Sequence, residues 1–251
     1  MAKQQSRQKT KQPSITLPDA VGVFLMDREA RGFTPKTLAY YRDQLKFFLA
    51  YCDKQGIGNA DQLTSATIRA YLVHLQGRGL APHTVHGAAR AIRTFVRFLA
   101  ADGLIDSAPT FAMPKLPKKI LPAFTPTDID RLLDACLNER DRLIVLVMLG
   151  TGLRAAELCA LNGGDIDTVT GSVLVRNGKG QKARVTYLGA RTRRELAKFW
   201  RMDGKPGLNM PVWTSSNDGE RLTDSGLRQI LRRIGTRAGV AHCHSHTFRR
   251  T

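Results

Sequence analysis

Two short segments place an arginine beside another ionisable side chain at helical spacing. Residues 151–158 read Thr-Gly-Leu-Arg-Ala-Ala-Glu-Leu, so Arg154 follows a Thr-Gly turn and Glu157 comes three residues later. Residues 246–249 read His-Thr-Phe-Arg, and this three-residue spacing puts the imidazole and the guanidinium on one helical face. Guanidinium groups bind oxyanions, and imidazole transfers protons near neutral pH. Taken alone, the Arg154–Glu157 pair is more simply interpreted as a surface ion pair.

A third segment joins two β-type runs, Ser172–Arg176 and Arg184–Leu188, and predicts a hairpin. Residues 177–184 read Asn-Gly-Lys-Gly-Gln-Lys-Ala-Arg. Because glycines flank Lys179 on both sides, the turn can be tight enough to bring its ammonium close to a ligand. By itself this is an ordinary basic hairpin.

In this order and at these separations, the three segments resemble the phage-integrase or tyrosine-recombinase family, especially its Xer-like simple members. The resemblance covers nearly the whole chain, because the helical N-terminal half is similar to that family's core-binding domain. It implies an enzyme that cuts duplex DNA, exchanges strands and reseals them through a 3′-phosphotyrosyl intermediate, without ATP. It also implies no metal and no other cofactor, since arginines stabilise the charge.

The resemblance assigns a role to each residue of the three segments. In-line attack on a phosphodiester builds negative charge on the non-bridging oxygens. Arg154 and Arg249 match the two arginines that clamp the phosphate, and Glu157 orients Arg154 from behind. Lys179 matches the general acid that protonates the leaving 5′-oxygen, and His246 matches the histidine that assists proton transfer.

Two departures from the family pattern concern the second arginine and the nucleophile. The family usually has a histidine directly after that arginine, whereas here the residue is Arg250. The family pattern then continues to the nucleophilic tyrosine, but nothing follows Thr251. Four tyrosines lie in the N-terminal half and one in the predicted hairpin: Tyr40, Tyr41, Tyr51, Tyr71 and Tyr187. None is a credible substitute, so we expect this chain to bind DNA without cleaving it.

Three alternatives remain open. The chain could be a naturally truncated DNA-binding protein that occupies recombination sites, or a type IB topoisomerase-like enzyme with the same catalytic residue set. The helical half before the linker favours the recombinase over the topoisomerase. Residues 242–246 read His-Cys-His-Ser-His and could ligate zinc, but such a site needs further ligands from elsewhere. We therefore predict no metal site, with His242 and His244 in a loop or in contact with DNA.

Composition agrees with a nucleic-acid partner. The formal net charge is +18 and the isoelectric point is near 10.4, an excess of Lys and Arg that attracts a polyanion, although a basic protein without a specific partner is the alternative. Four dispersed cysteines indicate reduced thiols, and no apolar run approaches the ~20 residues of a membrane span. The polar N-terminus lacks the apolar core of a secretory signal. We expect a cytoplasmic, nucleoid-associated protein of bacterial or phage type with no membrane partner.

A proline- and lysine-rich stretch divides the chain. Repeated prolines remove backbone donors and favour extended conformations, which predicts a linker. Its prolines are Pro109, Pro114, Pro117, Pro122 and Pro126. We predict a flexible basic arm over residues 1–13, a core-binding domain over 14–102, the linker over 103–122, and a catalytic domain, incomplete at its C-terminus, over 123–251.

The N-terminal half has helical periodicity throughout and predicts a bundle of four helices. The second begins at Thr34 and Pro35, a strong start signal, and the fourth spans about Pro82–Asp102. On this fourth helix a basic, acid-free stripe lies opposite an apolar one, as expected of a helix that contacts DNA. A solvated face is the alternative. The predicted DNA contacts, including those in the linker and hairpin, are Lys36, His86, Arg90, Arg93, Arg97, Lys115, Lys118, Lys119, Lys182 and Arg184.

The C-terminal half is predicted to be rich in helices around the hairpin, so the fold class is mainly α in two domains with a small antiparallel sheet. Thr127 or Thr125 caps the first helix of this half, and Asp141–Leu149 forms a buried helix. Trp200 and Trp213 are expected in the core. By resemblance the intact enzyme acts as a homotetramer on paired sites, and we expect this chain to be a monomer in solution.

Overall fold

The computed structural model describes residues 14–117, 121–176 and 183–251. The chain divides into two units, residues 1–119 and 120–251, and each has its own hydrophobic core. Unit 1 is helical, and unit 2 combines helices with one antiparallel strand pair in its described part. The predicted fold class is confirmed.

The described part of unit 1 contains four α-helices: α1 (Leu17–Ala30), α2 (Pro35–Lys54), α3 (Ser65–Gly77) and α4 (Pro82–Ala101). The start of α2 follows its local signal, since Thr34 Oγ1 accepts a hydrogen bond from Thr37 N at 3.3 Å and Pro35 is the first helical residue. Helix α3 begins at Ser65 because Thr64 provides its N-cap, with Thr64 Oγ1 accepting from Thr67 N at 3.1 Å.

Helix α4 contributes most to the core of unit 1. Its predicted apolar stripe is buried in full, and further buried positions widen it: Val85, Ala88, Ala89, Ala91, Ile92, Phe95, Val96, Phe98 and Leu99. Phe24 of α1 packs edge-on against Phe95 and Phe98, with ring centroids 5.5 Å and 5.4 Å apart. The polar face of α4 is therefore narrower than the sequence pattern suggested.

The segment after α4 packs on the bundle although it lies in the predicted linker. Ile105 is buried, and Phe111 and Met113 are partly buried against the same core. Arg93 Nη2 donates a hydrogen bond to the Phe111 carbonyl at 2.7 Å, and the Arg93 guanidinium lies 5.2 Å from the Phe111 ring centroid. This part of the predicted linker extends unit 1, and Lys118 and Lys119 lie outside the described residues.

Unit 2 contains α5 (Pro126–Asp134), α6 (Glu139–Thr151), α7 (Ala155–Ala160), β1 (Ser172–Val175), β2 (Arg184–Tyr187), α8 (Ala190–Asp203), α9 (Asp224–Ala238) and α10 (Ser245–Phe248). Of the two predicted caps for α5, the structure has Thr125. Thr125 Oγ1 accepts from Asp128 N at 3.1 Å, and the Asp128 carboxylate accepts from Thr125 N at 3.0 Å. This reciprocal capping box fixes where α5 begins.

Helix α6 is almost entirely buried and lies at the centre of unit 2. It starts two residues before the predicted position because Asn138 Oδ1 accepts from Asp141 N at 2.8 Å. Trp200 and Trp213 are both buried, as predicted. No helix among the described residues is long and apolar enough to span a membrane.

The two strands pair as the predicted hairpin requires. Ser172 lies opposite Tyr187 and Val175 opposite Arg184 in an antiparallel register. Residues 177–182, which contain Lys179 and Lys182, lie outside the described part of the chain.

Candidate functional site

Arg154 lies at the turn between α6 and α7. Gly152 ends α6 in the left-handed conformation, with φ of 59°, which a glycine adopts without a steric penalty. Arg154 is the N-cap of α7, and its backbone N donates to Glu157 Oε2 at 2.8 Å. Its Nη1 also donates to Glu157 Oε1 at 2.7 Å. The three-residue spacing seen in the sequence therefore lets Glu157 accept from both the backbone N and the guanidinium of Arg154, which holds the guanidinium in place.

Glu157 is the centre of a cluster of three arginines. Glu157 is only 6% exposed. From β2, Arg184 donates Nη1 to Oε1 at 2.8 Å and Nη2 to Oε2 at 2.7 Å. Arg249 Nη1 lies 3.9 Å from Oε2. One carboxylate thus faces the guanidiniums of Arg154, Arg184 and Arg249, and the cluster carries excess positive charge.

The ionisation of Glu157 follows from these contacts. Burial by itself would raise the pKa of this carboxyl group. The hydrogen bonds from Arg184 and Arg154 outweigh burial and lower the pKa to about 2. Glu157 is therefore a carboxylate throughout the physiological pH range, and the guanidinium of Arg184 is stabilised in its charged form in return.

Arg249 lies near the C-terminus of unit 2, and its side chain reaches the same α6–α7 turn. It follows α10, and its Nη1 donates to the Gly152 carbonyl at 2.6 Å. The two arginines that the sequence assigned to one phosphate thus lie beside the same α6–α7 turn. Their side chains remain partly accessible, 39% for Arg154 and 30% for Arg249.

Helix α10 is short, and packing around it determines its position. Thr247 is buried and donates from Oγ1 to the His242 carbonyl at 2.7 Å. The Phe248 ring packs edge-on against Phe124, with centroids 4.8 Å apart. A Cβ at Gly235 of α9 would collide with Cys243, so this glycine allows the loop before α10 to approach α9 closely.

His246 lies within α10, three residues before Arg249, and Arg250 directly follows Arg249. His246 is exposed and makes no hydrogen bond to a described residue. Arg250 occupies the position where the family usually has histidine, and its Nε donates to the Pro122 carbonyl at 3.2 Å. In this chain that position ties the end of α10 to the start of unit 2.

At the end of the hairpin next to residues 177–182, each strand is followed or opened by an arginine that binds a buried carboxylate. Arg176 Nε donates to Asp165 Oδ1 at 2.6 Å, and Asp165 is only 4% exposed. Arg184 makes the paired hydrogen bonds to Glu157 described above. Arg184 was predicted as a DNA contact, and the structure adds an intramolecular role for both of its terminal nitrogens.

The single tyrosine of unit 2 does not face the arginine cluster. Side chains alternate between the two faces of a strand, and Tyr187 is an odd number of residues from Arg184. Tyr187 therefore projects from the opposite face of β2 and is 64% exposed. The other four tyrosines belong to unit 1.

In unit 1, the predicted basic stripe of α4 is not uniform. Arg97 is exposed, and so is Arg90, whose Nη2 donates a long hydrogen bond of 3.4 Å to the Tyr40 hydroxyl; His86 is half-buried. Arg93 instead donates to the Phe111 carbonyl, so its guanidinium has a partner within the protein that the helical projection did not foresee. Lys36 and Lys115 are exposed.

Helix α9 carries a second basic face that the sequence analysis missed. Its exposed residues include four arginines and no acid: Ser225, Arg228, Gln229, Arg232, Arg233, Thr236 and Arg237. The helical projection applied to α4 would have found this face, because the signal is the same. Arg237 Nε donates to the Ala135 carbonyl outside the helix at 3.0 Å, whereas Arg228 Nε donates to the Asp224 carbonyl of α9 itself at 3.1 Å. Arg228, Arg232 and Arg233 are therefore the cations of this face without a hydrogen bond to another described element.

The histidine-rich segment forms no metal centre in the described part of the chain, where no three His, Cys, Asp or Glu side chains converge. The rings of His242 and His244 are 6.5 Å apart between centroids. His244 instead contacts Thr247, with Nδ1 3.1 Å from Oγ1.

Comparison with known families matches both units. The model of the phage integrase family matches residues 122–251, and the model of the phage integrase N-terminal SAM-like domain matches residues 27–103. The chain belongs to the phage integrase family. The family assignment made from the sequence is confirmed, and the Glu157 cluster lies within the matched phage integrase region.

Relatives of this phage integrase family member are tyrosine recombinases. Tyrosine recombinase XerC of Oceanobacillus iheyensis is 30% identical over 239 residues, covering 88% of this chain and 76% of the relative. Tyrosine recombinase XerA of Thermococcus kodakarensis is 28% identical over 225 residues, with the same shares of both chains.

Solved structures share the fold of this phage integrase family member. A lambda integrase tetramer bound to a Holliday junction matches with a TM-score of 0.74 at 18% identity, covering 98% of this chain and 76% of that one. The Tn1549 transposon integrase in complex with a circular intermediate DNA matches with a TM-score of 0.76 at 15% identity, covering 95% and 85%.

Proposed function

We propose that this protein is a site-specific DNA recombinase whose Arg154 and Arg249 hold a phosphodiester of duplex DNA. The observation that carries the proposal is the meeting of these two guanidiniums at one turn. Each is partly accessible and uses only one side-chain nitrogen for hydrogen bonds to described residues. Their remaining N–H groups suit the bidentate recognition of phosphate oxygens.

The chemistry follows from where charge develops. As a nucleophile attacks phosphorus in line, negative charge accumulates on the non-bridging oxygens, and two fixed guanidiniums stabilise it. Lys179 is proposed to protonate the leaving 5′-oxygen, and His246, three residues before Arg249, to assist proton transfer. This proposal gives no role to a metal or other cofactor.

The DNA partner has support from several sides. The net charge of +18 attracts a polyanion, and the solved integrases that share this fold include complexes with DNA. The tetramer of lambda integrase on a Holliday junction supports a tetramer as the recombining assembly on paired sites. We propose that this chain is monomeric in solution and acts in the cytoplasm, where its four free thiols stay reduced.

Selection from duplexes with a randomised central segment tests the function directly. DNA retained by the protein is sequenced after successive rounds of binding. A site-specific recombinase enriches one sequence, whereas a topoisomerase-like enzyme binds without such preference. Equal recovery of all sequences would refute the site-specific part of the proposal.

A nicked duplex tests the assignment of the nucleophile. We propose that none of the five tyrosines of this sequence attacks the phosphate, because Tyr187 projects from the face of β2 opposite Arg184 and the other four lie in the region that matches the N-terminal SAM-like domain, outside the phage integrase match. The 251-residue chain should therefore bind the nicked duplex and form no denaturant-resistant adduct. An adduct that maps to one of these tyrosines would contradict this.

The α4 stripe gives a separate prediction for unit 1. Replacing Arg90 and Arg97 together with glutamine should lower the slope of log affinity against log salt by about 1.8, because each lost phosphate contact removes about 0.9. The measurement is fluorescence anisotropy of a labelled duplex over a range of salt concentrations. Arg93→Gln is the matched control and should change the slope much less, since Arg93 is half-buried and its guanidinium both donates to the Phe111 carbonyl and lies over the Phe111 ring. An unchanged slope in the double variant would make the stripe a solvated surface.

A further inference from the structure

The three arginines around Glu157 direct different numbers of side-chain N–H groups to its carboxylate. Arg184 directs both terminal nitrogens, Nη1 and Nη2, to the two carboxylate oxygens. The side chain of Arg154 gives the carboxylate only Nη1. Arg249 gives its Nη1 to the Gly152 carbonyl and stays 3.9 Å from the carboxylate. Arg184 is thus committed to Glu157, whereas the other two keep most of their donors.

The carboxylate itself is saturated. Oε1 accepts from Arg154 Nη1 and Arg184 Nη1, and Oε2 accepts from Arg154 N and Arg184 Nη2. A carboxylate offers about four lone-pair sites, so these four hydrogen bonds use its full capacity. Glu157 has no acceptor left for a second side-chain hydrogen bond from Arg154, or for one from Arg249.

We propose that Arg184 is a positioning residue that occupies Glu157 and thereby keeps Arg154 and Arg249 available to the phosphate. This inference rests on the proposed function and assigns Arg184 a different role from the predicted DNA contact. Arg184 acts on the DNA through the other two arginines and does not itself touch the phosphate.

The residue type and its location suit this role. The planar fork of arginine matches both oxygens of a carboxylate, whereas the ammonium of lysine is a point charge. Arg184 opens β2 opposite Val175, which is buried, so the strand pair sets the direction from which the fork approaches. The contact also joins β2 to the α6–α7 turn, two elements that are remote in sequence.

Loss of Arg184 should change the behaviour of the remaining arginines. With two acceptor sites vacated, Glu157 forms a paired salt bridge with Arg154 or draws Arg249 from 3.9 Å into contact. Either rearrangement withdraws donors from the phosphate. Affinity for DNA then falls even though the lost side chain makes no contact with DNA.

A double-mutant cycle on DNA affinity tests the proposal. Arg184→Gln is made in the wild-type chain and in the Arg154→Ala/Arg249→Ala background, and binding of a labelled duplex is followed by anisotropy. We expect about a tenfold loss in the wild-type background and less than about twofold in the other, because coupled residues are not additive. Equal losses in both backgrounds would mean that Arg184 contacts DNA directly and would overturn the proposal, as would no loss in the wild-type chain.

Two further measurements keep the outcome interpretable. Arg184→Lys retains the charge but not the fork, so its affinity should lie much nearer to that of Arg184→Gln than to wild type; full rescue by lysine would contradict the proposal. Tryptophan fluorescence and circular dichroism establish that each variant is folded. Failure of the proposed function has a different signature, because the Arg154→Ala/Arg249→Ala chain would then bind DNA as tightly as wild type.

Discussion

Replacing Arg228, Arg232 and Arg233 of α9 together with glutamine should weaken binding to duplex DNA by about 500-fold at 0.1 M salt. These side chains form the outward cations of a face that carries no acid. Each phosphate contact contributes about 0.9 to the slope of log affinity against log salt, so the triple variant should lose about 2.7. The loss shrinks as salt rises, since released counterions are its cause.

A charge-matched variant on α8 provides the control. Arg194, Lys198 and Arg201 are exposed too, but the surface of α8 also carries Glu195 and Asp203. Converting these three cations to glutamine removes the same net charge and should change the slope by less than about 1. Both triples are measured by anisotropy on one labelled duplex. If the two variants lost affinity equally, α9 would be part of a general basic surface and not a DNA-contacting helix.

Glu157→Gln should lower the free energy of unfolding of unit 2 by roughly 3 kcal/mol at neutral pH. The pKa of Glu157 is lowered to about 2 in the folded protein, from 4.5 for an unperturbed glutamate side chain. A carboxyl group whose folded pKa is depressed contributes stability that is present above the unfolded value. That stability is lost as pH falls from about 4.5 to about 2, because the folded state must then take up a proton at a site that favours the carboxylate.

The variant therefore differs from wild type in a pH-dependent way. The difference should be full at pH 7, shrink through the acid range and close near pH 2, where glutamine and protonated glutamate are both neutral. Urea denaturation followed by tryptophan fluorescence measures it selectively, because both tryptophans, Trp200 and Trp213, are buried in unit 2.

Glu195→Gln is the matched control for Glu157→Gln. Glu195 pairs with Arg191 and Arg142 at side-chain exposures of 24% or more, where solvent weakens ion pairs, so its replacement should cost less than about 1 kcal/mol. A Glu157→Gln deficit that stayed constant from pH 7 to acid would show that packing, and not ionisation, is the contribution of Glu157.

Much of the architecture was predictable because its causes are local. Thr34 with Pro35 starts α2, and the apolar period of α4 selects the face that is buried. The hairpin strands and the buried helix α6 followed from composition over a few residues. The contact between Arg154 and Glu157 is also local, since the two residues are three apart.

Contacts between distant segments were not predictable in the same way. Arg93 belongs to a stripe that the helical period assigns to solvent, yet the chain returns 18 residues later and places the Phe111 carbonyl against it. In the sequence, Arg184 is one more cation of a basic hairpin. Only the folded chain brings it to the Glu157 carboxylate, 27 residues earlier.

The sequence by itself determined which cations could clamp a phosphate, because their types and order match a known family. It also determined that Arg154 would have Glu157 beside it. Only the tertiary structure decided that Arg249 reaches Gly152 across 97 residues and that Arg184 gives both of its terminal nitrogens to Glu157. The physical reason is that a carboxylate has few acceptor sites, and which guanidinium fills them depends on distances between elements that only folding sets.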